Sequence, residues 1–183
     1  MPIEAEERER MGGRALRRIV YTREDIATRV AEMGREIGDA YPERELLVLG
    51  LLKGSFIFVA DLVREIRRPL KVDFLMAASY GSDTVSSGDV RLLYHPEASI
   101  EGQDVLLVED IIDSGNTLNR LVPLLEELRP RSLEIVTLLH KHIAPELVKD
   151  ARWVGFDAPP EFLIGYGLDH SESFRNLPYI ASL

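Results

Sequence analysis

Three aliphatic runs constrain this chain most: ELLVLGLL (45–52), DVLLVED (104–110) and SLEIVTLLH (132–140). The first is apolar without alternation, as expected of a parallel strand covered on both faces. Between the runs lie stretches with helical spacing, SFIFVADLVREI, with Ser55 as its expected cap, and TLNRLVPLLEELR, in which Pro123 is expected to kink the helix or mark a late start. Strand and helix alternating in this way specify right-handed βαβ units and a parallel sheet flanked by helices. Upstream, Ile26, Val30, Met33 and Ile37 fall on one helical face, and Thr22 with Asp25 has the pattern of a capping box. KVDFLMAASY (71–80) reads as a further strand, and VRLLY as a short hairpin strand in a long polar loop spanning 81–100. The tail carries shorter elements.

The bulk properties narrow the function. A length of 183 residues and a hydrophobic fraction of 45% suit one domain, 1–183, with a real core. Residues 1–18 are expected to form a charged arm, and the segment from about 150 to 183 a small hood. No apolar run approaches the roughly 20 residues needed to span a bilayer, and the N-terminus has no signal-like segment. No membrane association and a cytoplasmic location are therefore the expectation. With no cysteine, disulfides and thiolate metal sites are excluded. A net charge of −9 argues against a nucleic-acid partner.

The chemistry gathers where DVLLVED ends. Glu109 and Asp110 are followed by Asp113 and then by Ser114, Gly115, Asn116 and Thr117. In open parallel sheets, ligands sit beyond the carboxyl ends of strands. The small polar run opens a helix, and amides at a helix N-terminus form a natural phosphate site. Gly115 lets the backbone approach the phosphate closely. Carboxylates cannot hold phosphate, but they accept hydrogen bonds from sugar hydroxyls and bind Mg²⁺. A phosphoribosyl group satisfies both halves of the run. The plainer alternative is that the acids only cap the next helix and favour its positive end.

This run resembles the signature of the type I phosphoribosyltransferases, which use phosphoribosyl pyrophosphate. LLKGSFIFVADL, SYGSD, LLHK, EFLIGYGLD and FRNLPYI resemble the 6-oxopurine branch of that family, the hypoxanthine-guanine phosphoribosyltransferases, over nearly all of the chain from about residue 20. The resemblance implies an α/β fold, a central parallel sheet with a C-terminal/N-terminal hood. The implied activity is purine salvage: transfer of phosphoribosyl to hypoxanthine or guanine, giving IMP or GMP and pyrophosphate. Xanthine and other bases remain alternatives, as does, more remotely, an RNA-binding nucleotide sensor on the same scaffold.

The roles it implies fall on particular positions. Glu109 and Asp110 would read the ribose hydroxyls near a Mg²⁺, and residues Ser114 to Thr117 would hold the 5′-phosphate. Asp113 matches the general base. Lys53, Gly54 and Ser55 match the pyrophosphate loop, with a cis peptide at Leu52–Lys53, and Arg175 a second pyrophosphate contact. Ser79 and Tyr80 begin an active-site loop. Lys141 would donate to the purine O6, Phe162 would stack on the base and Leu163 would offer its carbonyl. Asp169 would help to carry a second Mg²⁺. Independently of the resemblance, an ammonium has only donors and so favours a 6-oxo over a 6-amino group. The chain departs from the family at Asn116, often lysine there, and at Pro145, near which an arginine is common. The resemblance also implies a homodimer or homotetramer.

Overall fold

The computed structural model describes residues 16–41, 45–79, 90–94, 96, 98–143 and 146–183, with side chains for all of these except 77–79 and 90–94. The predicted parallel sheet is present. Strands β2 (Leu46–Leu52), β3 (Leu70–Ser79), β4 (Val90–Tyr94), β5 (Asp104–Ile112), β6 (Ser132–His140) and β7 (Trp153–Asp157) form one sheet in the order β4-β3-β2-β5-β6-β7. Pairings β3–β2, β2–β5, β5–β6 and β6–β7 are parallel, and only β4 runs antiparallel, as the hairpin partner of β3.

The continuous apolar runs are explained by layers on both faces. From β2, β5 and β6, residues Leu46, Val48, Leu106, Val108, Val136 and Leu138 pack with helices α1 (Arg23–Ala40) and α2 (Phe56–Glu65). Their neighbours Leu47, Leu49, Val105, Leu107, Leu133 and Ile135 pack on the other face with α3 (Asn116–Glu127). Alternate side chains enter opposite cores, so no position along these strands can be polar without cost. Ile26, Val30, Met33 and Ile37 are all buried, as their spacing requires. Thr22 caps α1: its hydroxyl accepts from the Asp25 amide at 3.1 Å, and the Asp25 carboxylate accepts from the Thr22 amide at 2.9 Å.

Other expectations need correction. Ser55 occupies the N-cap position of α2 without capping it. Its backbone is already helical, so the buried hydroxyl turns back and donates to the Leu51 carbonyl at 2.7 Å. Pro123 marks no late start, since α3 begins at Asn116 and runs through it; its missing N–H leaves the Asn119 carbonyl without the usual helical donor.

The hood is a three-stranded antiparallel sheet in the order β1-β9-β8, built from β1 (Arg18–Tyr21), β8 (Leu163–Ile164) and β9 (Ile180–Ser182). The expected arm therefore ends earlier than residue 18. Leu16 is buried, and the Arg17 amide donates to the Ser182 carbonyl at 3.0 Å. Trp153–Asp157 joins the main sheet as β7, so the hood begins after it rather than near 150. Among the described residues, no helix is long and apolar enough to cross a membrane.

Candidate functional site

The carboxyl edge of β5 carries the acids of the sequence motif. Burial surrounds this strand from Asp104 through Glu109, and the chain emerges only beyond it. Glu109 is 9% exposed, and its Oε2 has no hydrogen-bond partner. Burial drives its carboxyl well above the ordinary carboxylate range, and the neighbouring Asp110 pushes the same way. Burial also raises Asp110, opposed by a hydrogen bond from the Ile111 amide, at 2.9 Å from Asp110 Oδ1. Two adjoining acids, one with an unpartnered buried oxygen, have the chemistry to take a cation or hydroxyl donors.

Past Ile112 the chain turns into α3. Gly115 sits at the N-cap with φ +74, the left-handed region that glycine enters without steric cost. The Asn119 amide closes the first turn on the Gly115 carbonyl at 2.9 Å. No side chain caps this helix, and its first turn holds no acid. The capping alternative for the acids therefore fails. The first amides of α3 and the positive end of its dipole stay available to an anion. Ser114, Asn116 and Thr117 are exposed around them. Asp113 turns away from the helix, and its Oδ2 accepts from Lys141 Nζ at 3.0 Å. Lys141 follows β6 and is tethered by its amide to the Ile112 carbonyl at 2.9 Å. Its side chain is only 11% exposed, against 51% for Asp113. Neighbouring parallel strands thus deliver an acid and an ammonium to the same point.

A second group assembles across β2 and the tail. The Leu52–Lys53 peptide is cis, as the family resemblance implied. A Cβ on Gly54 would run into the Asp110 carboxylate, and one on Gly167 into the Gly54 carbonyl. The loop after β2 is therefore sandwiched between the acids of β5 and the tail. Arg175 donates to the Gly167 carbonyl at 2.8 Å and pairs with Asp169 Oδ1 at 2.8 Å. Asp169 Oδ2 accepts from the Glu172 amide at 2.8 Å. The Glu172 carboxylate lies 3.2 Å from Lys53 Nζ and 3.4 Å from Arg175. Tyr166 ties the tail to α2 by donating its hydroxyl to Asp61 at 2.5 Å, and burial with this bond raises its pKa strongly.

The remaining predicted residues are placed less tightly. Phe162 is 53% exposed on the hood, with its ring edge-on to His170 at 5.4 Å. Leu163 is buried in β8 and paired with Ser182. Ser79 ends β3, but its side chain, like all of Tyr80 and Pro145, lies outside the described residues. Among the described residues, no three His, Asp or Glu side chains gather as a metal cluster. Sequence reasoning missed Glu172, Tyr166 and Asp61, since no local pattern marks them.

This geometry is that of a phosphoribosyltransferase: the chain belongs to the phosphoribosyl transferase domain family, whose model matches residues 19–171, and it has the type I fold of that family. Its relatives are specific. The hypoxanthine-guanine phosphoribosyltransferase of Mycobacterium avium is 46% identical, over 92% of this chain and 86% of that protein. The Bacillus subtilis enzyme of the same name is 43% identical, over 92% and 93%. The chain also matches the bifunctional protein TilS/HprT of Listeria innocua at 44% identity, but spans only 26% of its length. The crystal structure of the Staphylococcus aureus hypoxanthine phosphoribosyltransferase superposes with a TM-score of 0.87 at 41% identity, covering 92% of this chain and 91% of that one.

Proposed function

We propose that this protein transfers the phosphoribosyl group of phosphoribosyl pyrophosphate to hypoxanthine or guanine, releasing IMP or GMP and pyrophosphate. The observation that carries this reading is buried Glu109, its Oε2 unpartnered, with half-buried Asp110 next to it, beside the uncapped N-terminus of α3. A sugar diol and a phosphate on one ligand answer both. The named relatives point to the same substrates.

Each residue then has a task. Glu109 and Asp110 accept hydrogen bonds from the 2′- and 3′-hydroxyls. The α3 amides, with Ser114 and Thr117, hold the 5′-phosphate. Asn116 leaves that cradle intact while lacking the lysine charge common in the family. The orphaned Glu109 oxygen and the adjoining Asp110 suit Mg²⁺, and Asp169 would serve a second ion through water. When bound, Mg²⁺ stabilises and orients the leaving pyrophosphate. Lys53, Gly54 and Arg175 line the pyrophosphate path. Lys141 donates to the purine O6, Phe162 stacks on the base, and the Leu163 carbonyl accepts from its N1 or N2 hydrogens.

The chemical step needs one proton acceptor. As purine N9 bonds to C1′, the C1′–oxygen bond breaks, pyrophosphate leaves with the electron pair, and Asp113 takes the N7 proton. The 3.0 Å contact between Asp113 and Lys141 ties acid and ammonium together, so the group reading O6 also holds the base beside the same ring. Ser79 and Tyr80 are proposed to begin the loop that keeps water from the reacting carbon. Such an enzyme acts as one unit over 1–183, in the cytoplasm, as a homodimer or homotetramer. The test is an assay of pure protein with phosphoribosyl pyrophosphate, Mg²⁺ and each of hypoxanthine, guanine, xanthine and adenine. Turnover of the first two and none of adenine is expected. Turnover of adenine alone would overturn the assignment of Lys141.

A further inference from the structure

Glu172 has no task in the reaction above, yet its carboxylate touches both cations assigned to pyrophosphate. Oε2 lies 3.2 Å from Lys53 Nζ and 3.4 Å from Arg175. The two cations come from distant parts of the chain, the loop after β2 and the segment before β9. One carboxylate oxygen bridging them does what an oxygen of pyrophosphate would do.

The backbone aims the side chain there. Ser171 and Glu172 both have left-handed φ, +52 and +62, and the Glu172 amide is fixed on Asp169 at 2.8 Å. The side chain is 67% exposed and can swing away without disturbing a core. Arg175 does not depend on it, because the Gly167 carbonyl and Asp169 each hold the guanidinium at 2.8 Å.

We propose that Glu172 is an internal counter-anion: it occupies the pyrophosphate position between Lys53 and Arg175 and must be displaced when the donor binds. It thereby weakens pyrophosphate binding and eases release of that product. The inference rests on the phosphoribosyl-transfer reading. The opposite role, a preorganising residue whose loss loosens the two cations, predicts the opposite sign.

The test is calorimetric titration of inorganic pyrophosphate, with Mg²⁺, into the wild type and Glu172→Gln. Exposed ion pairs are weak, so the expected gain in affinity is about two- to fivefold, with a matching fall in KM for phosphoribosyl pyrophosphate. The gain should shrink in a Lys53→Met background, because the pair is already broken there. Unchanged or weaker binding by Glu172→Gln overturns the proposal, and so does a full-sized gain without Lys53. A wild type that binds pyrophosphate but transfers no phosphoribosyl group to any purine overturns the functional reading instead, and the counter-anion role with it.

Discussion

The carboxyl end of β5 and the segment from 165 to 175 both pack against the loop after β2, and they are held in opposite ways. Glu109 is positioned by burial in a strand covered on both faces, and its outer oxygen is left without a partner. Asp169, Glu172 and Arg175 are positioned by one another, on a backbone with left-handed residues at Gly165, Tyr166, Gly167, Ser171, Glu172 and Phe174. The first leaves a buried carboxylate oxygen unpartnered. The second pairs its carboxylates with Lys53 and Arg175, while Arg175 Nε is left unpartnered. Burial fixes a charged group by its strand, whereas ion pairs fix it by its neighbours.

The largest effect should come from the turn that follows β5. Asp113→Asn is expected to lower kcat by about 10²–10⁴, the usual worth of a positioned proton acceptor. Nucleotide binding, measured by titration, should be intact; unchanged turnover would remove the general-base role. Gly54→Ala should follow, since the new Cβ collides with the Asp110 carboxylate. Misplacing a positioning group by an ångström costs about 10² in kcat/KM, and steady-state kinetics would show it.

Glu109→Gln sharpens the contrast in two directions. Hydrogen bonds from the ribose hydroxyls favour the carboxylate form of Glu109 in the complex, so loss of that charged acceptor should raise KM for phosphoribosyl pyrophosphate by about 10- to 100-fold. Stability should move the other way. The raised folded-state value of Glu109 means the native protein holds a proton that the unfolded chain releases near its ordinary value, about 4.3. Wild-type stability therefore falls as pH rises from there through the raised value, and the variant lacks this decline. At pH 7 the unliganded variant should melt higher than the wild type, by an amount that vanishes below about pH 4. Thermal melts over a pH series check the sign.

The smallest effect belongs to the tail. Tyr166→Phe removes the hydrogen bond to Asp61 and should cost about 0.5–1.5 kcal/mol of stability by denaturant melts, with kcat little changed. A large loss of kcat would mean that the tail is positioned as rigidly as β5.

The two regions also differ in how far they were legible. The parallel sheet and its acidic turn could be read because each strand's burial is written in its own residues, as in Leu46–Leu52. The proposal that the turn is a ligand site rests on adjacent positions, 109 to 117. The hood could not be read in the same way. β1 is four residues long and pairs with β9 across Arg18 and Ser182, so its signal lies at the far end of the chain. The Asp113–Lys141 and Lys53–Glu172 contacts join residues 28 and 119 positions apart. No spacing rule marks such pairs. Ser55 shows a local limit as well: a residue type that usually caps a helix turned its hydroxyl back onto Leu51, because its backbone had already become helical.

The central claim is that buried acids and free helix amides together clasp a ribose 5-phosphate. Calorimetric titration of IMP, GMP and phosphoribosyl pyrophosphate into the purified protein, with Mg²⁺ present, tests it most directly. Saturable binding is expected, weakened about 10- to 100-fold by Glu109→Gln. No binding of any of the three compounds by the wild-type protein would contradict it.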